Sequence, residues 1–173
     1  LEFDGSGGHI QGAQWLEHRD TTYVYLSGST EKFAYCAVVE LGEKPRVTNI
    51  QTLMSSPFRH AGGFQICGNL LAVGIEDNIK KDKSQVRIYA IKDPKIPLED
   101  PLVTIKRSGA PKRATAGCVG LAEARGQYIL AVGDWDTRHI DMYTSARNGS
   151  LSDKEPFTLA STIDIASADR SAW

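Results

Sequence analysis

The chain has 173 residues, 20 Lys+Arg against 21 Asp+Glu for a net charge of −1, and 41% hydrophobic residues. That balance gives no electrostatic basis for binding nucleic acid or an anionic membrane, and no apolar run reaches the roughly 18–20 residues of a spanning helix. Sixteen Gly and seven Pro are scattered without period, which excludes a collagen-like chain and leaves one globular domain or a piece of a larger one.

Taken in chain order, residues 1–8 include Gly5-Ser6-Gly7-Gly8 and read as a flexible N-terminal linker or tag without the pattern of a signal peptide. Beyond them, short runs rich in Val, Ile, Tyr and Leu alternate with Gly, Asn, Asp and Ser clusters, the pattern of strands punctuated by turns. Twelve strands are expected, at 12–17, 23–27, 33–41, 46–53, 63–67, 70–75, 85–92, 102–106, 117–122, 128–132, 139–144 and 157–163. Gly68-Asn69 is a two-residue hairpin signal, and Arg125-Gly126 is placed to do the same. No helical stripe exceeds two turns. Cys36, Cys67 and Cys118 are far apart and odd in number, so they read as buried strand thiols rather than a disulfide framework or a zinc cluster. One disulfide plus a free thiol stays open.

Internal repetition is the strongest signal. His9-Ile10-Gln11-Gly12-Ala13-Gln14-Trp15 aligns with His60-Ala61-Gly62-Gly63-Phe64-Gln65-Ile66 at an offset of 51, and Ala116-Gly117-Cys118-Val119 lies on Gly62-Gly63-Phe64-Gln65 at 54. Leu71-Ala72-Val73-Gly74 recurs as Leu130-Ala131-Val132-Gly133, and Val86-Arg87-Ile88-Tyr89 aligns with Ile140-Asp141-Met142-Tyr143 at 54. Four short antiparallel strands per unit of about 50 residues is the layout of a propeller blade.

On this periodicity and strand order, residues 9–165 resemble the β-propeller superfamily. The fold class is therefore expected to be all-β, a partial β-propeller of about three four-stranded antiparallel blades, with a β-sandwich as the alternative. Blades are expected at 9–57, 58–112 and 113–166, with 167–173 as the start of a following one. Trp135-Asp136 precedes the third strand instead of ending it, and Gly62-Gly63 opens the first strand instead of closing the second, so neither WD40 nor kelch is matched. Three blades cannot close a ring of about 4–8, which implies either a homodimer completing a six-bladed ring or the missing remainder of a larger chain.

In a propeller, the loops leading into the first strand and those joining the second and third share one face. Those positions carry His9, His60 and Lys112/Arg113, then Ser29, Thr30, Glu31, Glu76, Asp77, Asp82, Asp134, Asp136 and Arg138. The resulting mixed-charge rim is the candidate ligand-binding site, with His9, His60, Glu76, Asp77, Arg113, Asp134, Trp135, Asp136 and Arg138 as its members. Asp134 and Asp136 flank Trp135, which offers a stacking platform for a sugar or other flat ligand, or packs between blades. His18 is expected exposed on a hairpin turn, His139 partly buried, and residues 76–83 a solvated loop or a flap.

No metal is assigned; paired carboxylates would suit calcium as the one possible cofactor, and they equally suit turn capping. There is no Gly-x-Ser-x-Gly, no phosphate-binding Gly-x-x-x-x-Gly-Lys and no His-Glu-x-x-His. The expected function is a non-enzymatic ligand- or protein-binding module acting through the channel face. The alternative is a fragment of a propeller hydrolase or lyase using Glu76, Asp77, Asp134 and Asp136 with a divalent cation. Partners would be a small molecule or a protein, not nucleic acid or membrane; the compartment is left open.

Overall fold

The computed structural model describes residues 6–165. Parts of the expected linker (1–5) and all of segment 167–173 lie outside the described residues. All twelve expected strands are present: β1 His9–His18, β2 Thr21–Ser29, β3 Phe33–Glu40, β4 Arg46–Ser55, β5 His60–Cys67, β6 Leu70–Glu76, β7 Lys83–Ala90, β8 Val103–Ser108, β9 Cys118–Ala124, β10 Gln127–Gly133, β11 His139–Ser145 and β12 Phe157–Asp164. The described residues contain no α-helix, only a 3-10 turn at Trp135–Thr137. The fold is all-β, one open twelve-stranded mixed sheet.

Pairing follows the repeats. β1 to β4, β5 to β8 and β9 to β12 each form a four-stranded antiparallel meander. The meanders touch through their early strands: Ser29 on β2 bridges His60 on β5, and Gly63 on β5 bridges Cys118 on β9 in parallel. The first strands start about three residues earlier than expected in the first two meanders. Bulges at Ile10/Gly12 and Ala61/Phe64 break the alternation there, so the sequence loses its two-residue period just where the strand begins.

The register of the third unit also differs from the alignment read in the sequence. Cys118 lies opposite Gly133 as His60 lies opposite Glu76 and His9 opposite Ser29. β5 therefore starts 51 residues after β1, but β9 starts 58 after β5. The longer link between β8 and β9 takes up the difference.

Two cores result, one in each gap between meanders. Tyr23, Tyr25, Cys36 and Val38 of the first meander pack on Ala61, Leu71, Val73 and Ile75 of the second. Leu70, Ala72, Val86 and Ile88, on the opposite face of the second, pack on Val119, Leu121, Leu130 and Val132 of the third. β6 is thus buried on both sides, which is why Leu70–Glu76 is apolar at nearly every position. Each such aliphatic side chain contributes about 1.5–3 kcal/mol by burial.

Polar clamps cross the same gaps. The Gln14 amide donates to the Ile66 carbonyl at 3.1 Å and accepts from the Ile66 N–H at 2.7 Å. Gln51 does the same with Leu98 at 2.7 Å for both bonds. Cys36 is sealed in the first core, and burial pushes its thiol up to about 12. Cys67 is half-buried and Cys118 exposed, and none of the three is paired, so the expectation of buried thiols holds for Cys36 but not for Cys118.

The tightest approach lies along the first strands. Gly63 N–H donates to Gly117 O at 3.0 Å and Gly117 N–H to Gly133 O at 2.9 Å. A Cβ on Gly62 would sit 2.1 Å from the Gly117 carbonyl oxygen, and one on Gly74 2.3 Å from that of Ala116. By contrast Gly68, at φ +59° in a hairpin turn, has open space around it. Gly74→Ala should therefore destabilise by more than about 2 kcal/mol through overpacking, and Gly68→Ala by about 1 kcal/mol through backbone strain alone. Denaturant unfolding of the two variants checks this; equal losses would contradict the close approach.

Candidate functional site

The three meanders place equivalent residues at one end of the sheet. At the position just after the second strand, Thr30, Asp77 and Asp134 each donate a backbone N–H to the residue that begins or borders the third strand: Phe33 O at 2.9 Å, Lys83 O at 3.2 Å and His139 O at 3.1 Å. Each side chain then turns back to hold its own loop. Thr30 Oγ1 accepts from Lys32 and Phe33 N–H, Asp77 Oδ1 from Ile79 and Lys80 N–H, and Asp134 Oδ1 from His139 N–H. All three are buried. A short oxygen-bearing side chain is needed here because only it satisfies the loop amides locally.

One position earlier stand Ser29, Glu76 and Gly133, facing His9, His60 and Cys118 across the first hairpin. Ser29 Oγ lies 3.3 Å from His9 Nε2. Glu76 ends β6 and is fully buried, not part of a solvated loop as its sequence neighbours suggest. Its Oε2 accepts the Ala116 N–H at 2.8 Å, and its Oε1 lies 3.1 Å from His60 Nδ1. Neither of these two atoms has a hydrogen-bond partner among the described residues. The Ala116 N–H anchors the carboxylate through Oε2.

Side chains from all three meanders converge here. The His9 and His60 rings are 6.2 Å apart, and those of His60 and Trp135 6.3 Å. Trp135 is half-buried. Its backbone N–H donates to Thr115 Oγ1 at 2.7 Å, and Lys81 Nζ sits 3.6 Å above its ring, a cation-π contact. Lys112 N–H donates to Lys81 O, and Lys112 Nζ lies 3.8 Å from Asp136. Lys81, Lys112, Asp136 and Thr137 all have left-handed backbones, a concentration of strain that marks loops held in special conformations.

The sequence-derived site is therefore split. His9, His60, Glu76 and Trp135 are brought together. Asp77 and Asp134 lie behind them as loop supports, Asp134 also holding His139 Nδ1 at 2.7 Å. Asp136 is at the surface beside Lys112. Arg138 closes the 3-10 turn and its carbonyl accepts from Ile165 N–H. Arg113 belongs to a separate ion cluster: both of its terminal nitrogens bind Asp141, at 2.7 and 2.6 Å, and Arg107 adds a bond of 2.8 Å.

His139 is half-buried as expected, while His18 ends β1 half-buried instead of standing exposed. Lys81, Thr115 and Arg107 were not legible as partners, because long-range contacts between loops leave no local pattern.

Burial alone would raise the Asp141 carboxyl, but hydrogen bonds from Arg113 and Thr162 and the charge of Arg107 outweigh it and hold it well below the usual carboxylate range. Comparison with protein-family models finds no match, and comparison with curated proteins finds none.

Two consequences can be measured. Glu76→Ala strips the buried Ala116 N–H of its acceptor and should cost about 1–3 kcal/mol, whereas Glu76→Gln keeps an oxygen there and should cost less; equal losses would contradict the anchor. Asp141 has a lowered folded-state value, so its stabilisation is complete above about pH 4 and fades as the pH falls below that. Asp141→Asn should therefore be less stable than wild type at neutral pH, with the gap narrowing in acid unfolding curves; a pH-independent gap would contradict the ion cluster.

Proposed function

We propose that this chain is a ligand-binding module of the β-propeller type, that its three meanders are three blades, and that the ligand sits at the end lined by His9, His60 and Trp135. One observation carries the reading: these three rings come from three successive meanders, yet are neighbours at 6.2 and 6.3 Å. Sheets fanned about a common line bring the starts of their first strands and the loops after their second strands together in this way. Two stacked layers of a sandwich would distribute them over different edges.

Binding is favoured over metal-assisted hydrolysis by how the carboxylates are used. Glu76, Asp77 and Asp134 direct their oxygens at backbone amides and histidines of the protein itself. They serve as scaffold, and the surface they leave toward solvent is imidazole, indole and ammonium, with the Asp136 carboxylate beside Lys112. Such a surface suits a small polar ligand with a flat face, stacked on Trp135 after Lys81 moves aside and hydrogen-bonded by the histidines.

The test is a titration of the chain with monosaccharides and small carboxylates, followed by amide and indole chemical shifts. Saturable changes are expected at His60, Asp77, Lys81 and the Trp135 indole, and Trp135→Ala should weaken binding at least about tenfold, or ~1.4 kcal/mol. Shifts confined to another surface, or undiminished in the variant, would contradict the site.

A further inference from the structure

The contacts inside the molecule obey a rule of order. The face that each meander turns toward the next, its leading face, packs on the opposite, trailing face of that next meander. Tyr23 and Tyr25 of the first lead onto Leu71 and Val73 of the second, and Leu70 and Ala72 of the second lead onto Leu130 and Val132 of the third. Because side chains alternate along a strand, the residues between these point the other way. Two faces are then left over: the trailing face of the first meander and the leading face of the third.

Both are apolar where a solvent-facing sheet would alternate to polar. On the first, Trp15, Val24, Val39 and Val47 form one cross-strand row, with Leu26 in the next. Trp15 is 64% exposed and Val47 46%. On the third, Cys118, Gly133, Ile140 and Ile163 form a row, beside Ala131 and Met142. Ile163 is 48% exposed. No described residue covers either face. Contiguous apolar side chains exposed in this way mark an interaction surface.

We propose that a second copy of this chain covers both faces, head to tail, so that the leading face of each copy's third meander packs on the trailing face of the other's first. The two bare faces are the two halves of the interface that the molecule already makes twice internally, and one copy carries one of each. Their relief also matches. The trailing face is bulky, with Trp15 and Leu26, and the leading face is shallow near β9 and β10, with Gly120, Ala131 and Gly133. The internal seam between the second and third meanders has the same relief, Leu130 and Val132 lying against Ala72 beside Gly74.

Two such contacts related by a two-fold axis close the assembly and leave no open face. Six meanders fall within the range that rings of four-stranded sheets adopt. Ring closure rests on the blade reading given above; the pairing of faces rests on the internal contacts alone.

Light scattering of the chain after size-exclusion chromatography tests the proposal. The expected mass is twice the 18.9 kDa of one chain. Trp15→Glu on one face and Met142→Glu on the other should each reduce it to a single chain, because a head-to-tail pair uses both faces at each contact. Val47→Lys and Ile163→Lys serve the same purpose if either first variant loses its strand circular dichroism. His60→Ala, at the proposed ligand end, should stay a two-chain species, so loss of ligand binding and loss of pairing are separable. A single-chain mass for the wild type at tens of micromolar would overturn the proposal. So would a two-chain mass that survives either face variant, since that would mean like faces pairing with each other.

Discussion

The structure depends on how closely the backbones approach along the first strands of successive meanders. Gly62 and Gly74 give up their side chains so that the Gly117 and Ala116 carbonyls can lie against them. The amides of Gly63 and Gly117 then carry hydrogen bonds across and along the seam. The gaps between the meanders are filled by larger side chains such as Tyr23, Tyr25, Leu130 and Phe157. The same seam brings His9, His60 and Trp135 within ring-contact distance of their neighbours.

Buried polar groups complete the arrangement. Glu76 cannot be fully buried without donors, and the buried Ala116 N–H, which lies before β9 begins, supplies one. Ser27 Oγ bonds the Gly62 carbonyl at 2.7 Å and Ser84 Oγ that of Ala114 at 2.7 Å. These bonds satisfy backbone that the irregular strand starts leave unpaired. Thr30, Asp77 and Asp134 do the same work for the loops at that end. Glu76, Asp77 and Asp134 thus turn oxygens toward amides of the protein itself, while Asp136 stands at the surface beside Lys112.

Much of the architecture was legible because it is local. Every expected strand exists, since two-residue alternation and Gly-Asn or Arg-Gly turns are properties of neighbouring residues. The recurrence at offsets of 51 to 54 reads as repeated units, and the strands pair as three four-stranded meanders. What was not legible depended on partners distant in sequence. Bulges at Ile10/Gly12 and Ala61/Phe64 disguised where β1 and β5 begin. The third unit's register slipped against its alignment because Gly117 sits in the seam rather than in the strand. Glu76 followed by Asp77 read as the start of a polar loop, although β6 runs through Glu76 and buries it. Arg113 read as part of the rim, yet Asp141, more than twenty residues away, claims it. His9, His60 and Trp135 stand out by their expected loop positions, and the structure places their rings in sequence at 6.2 and 6.3 Å.

Amide hydrogen exchange at the seam is the most direct measurement of this account. If the close approach of first strands holds the meanders together, the amides of Gly63, Ala116 and Gly117 exchange about as slowly as those of Val73 and Val86 in the twice-buried interior. Seam amides that exchange orders of magnitude faster than the interior would mean that the meanders fold as separate sheets, and the convergence of side chains at their ends would lose its physical cause.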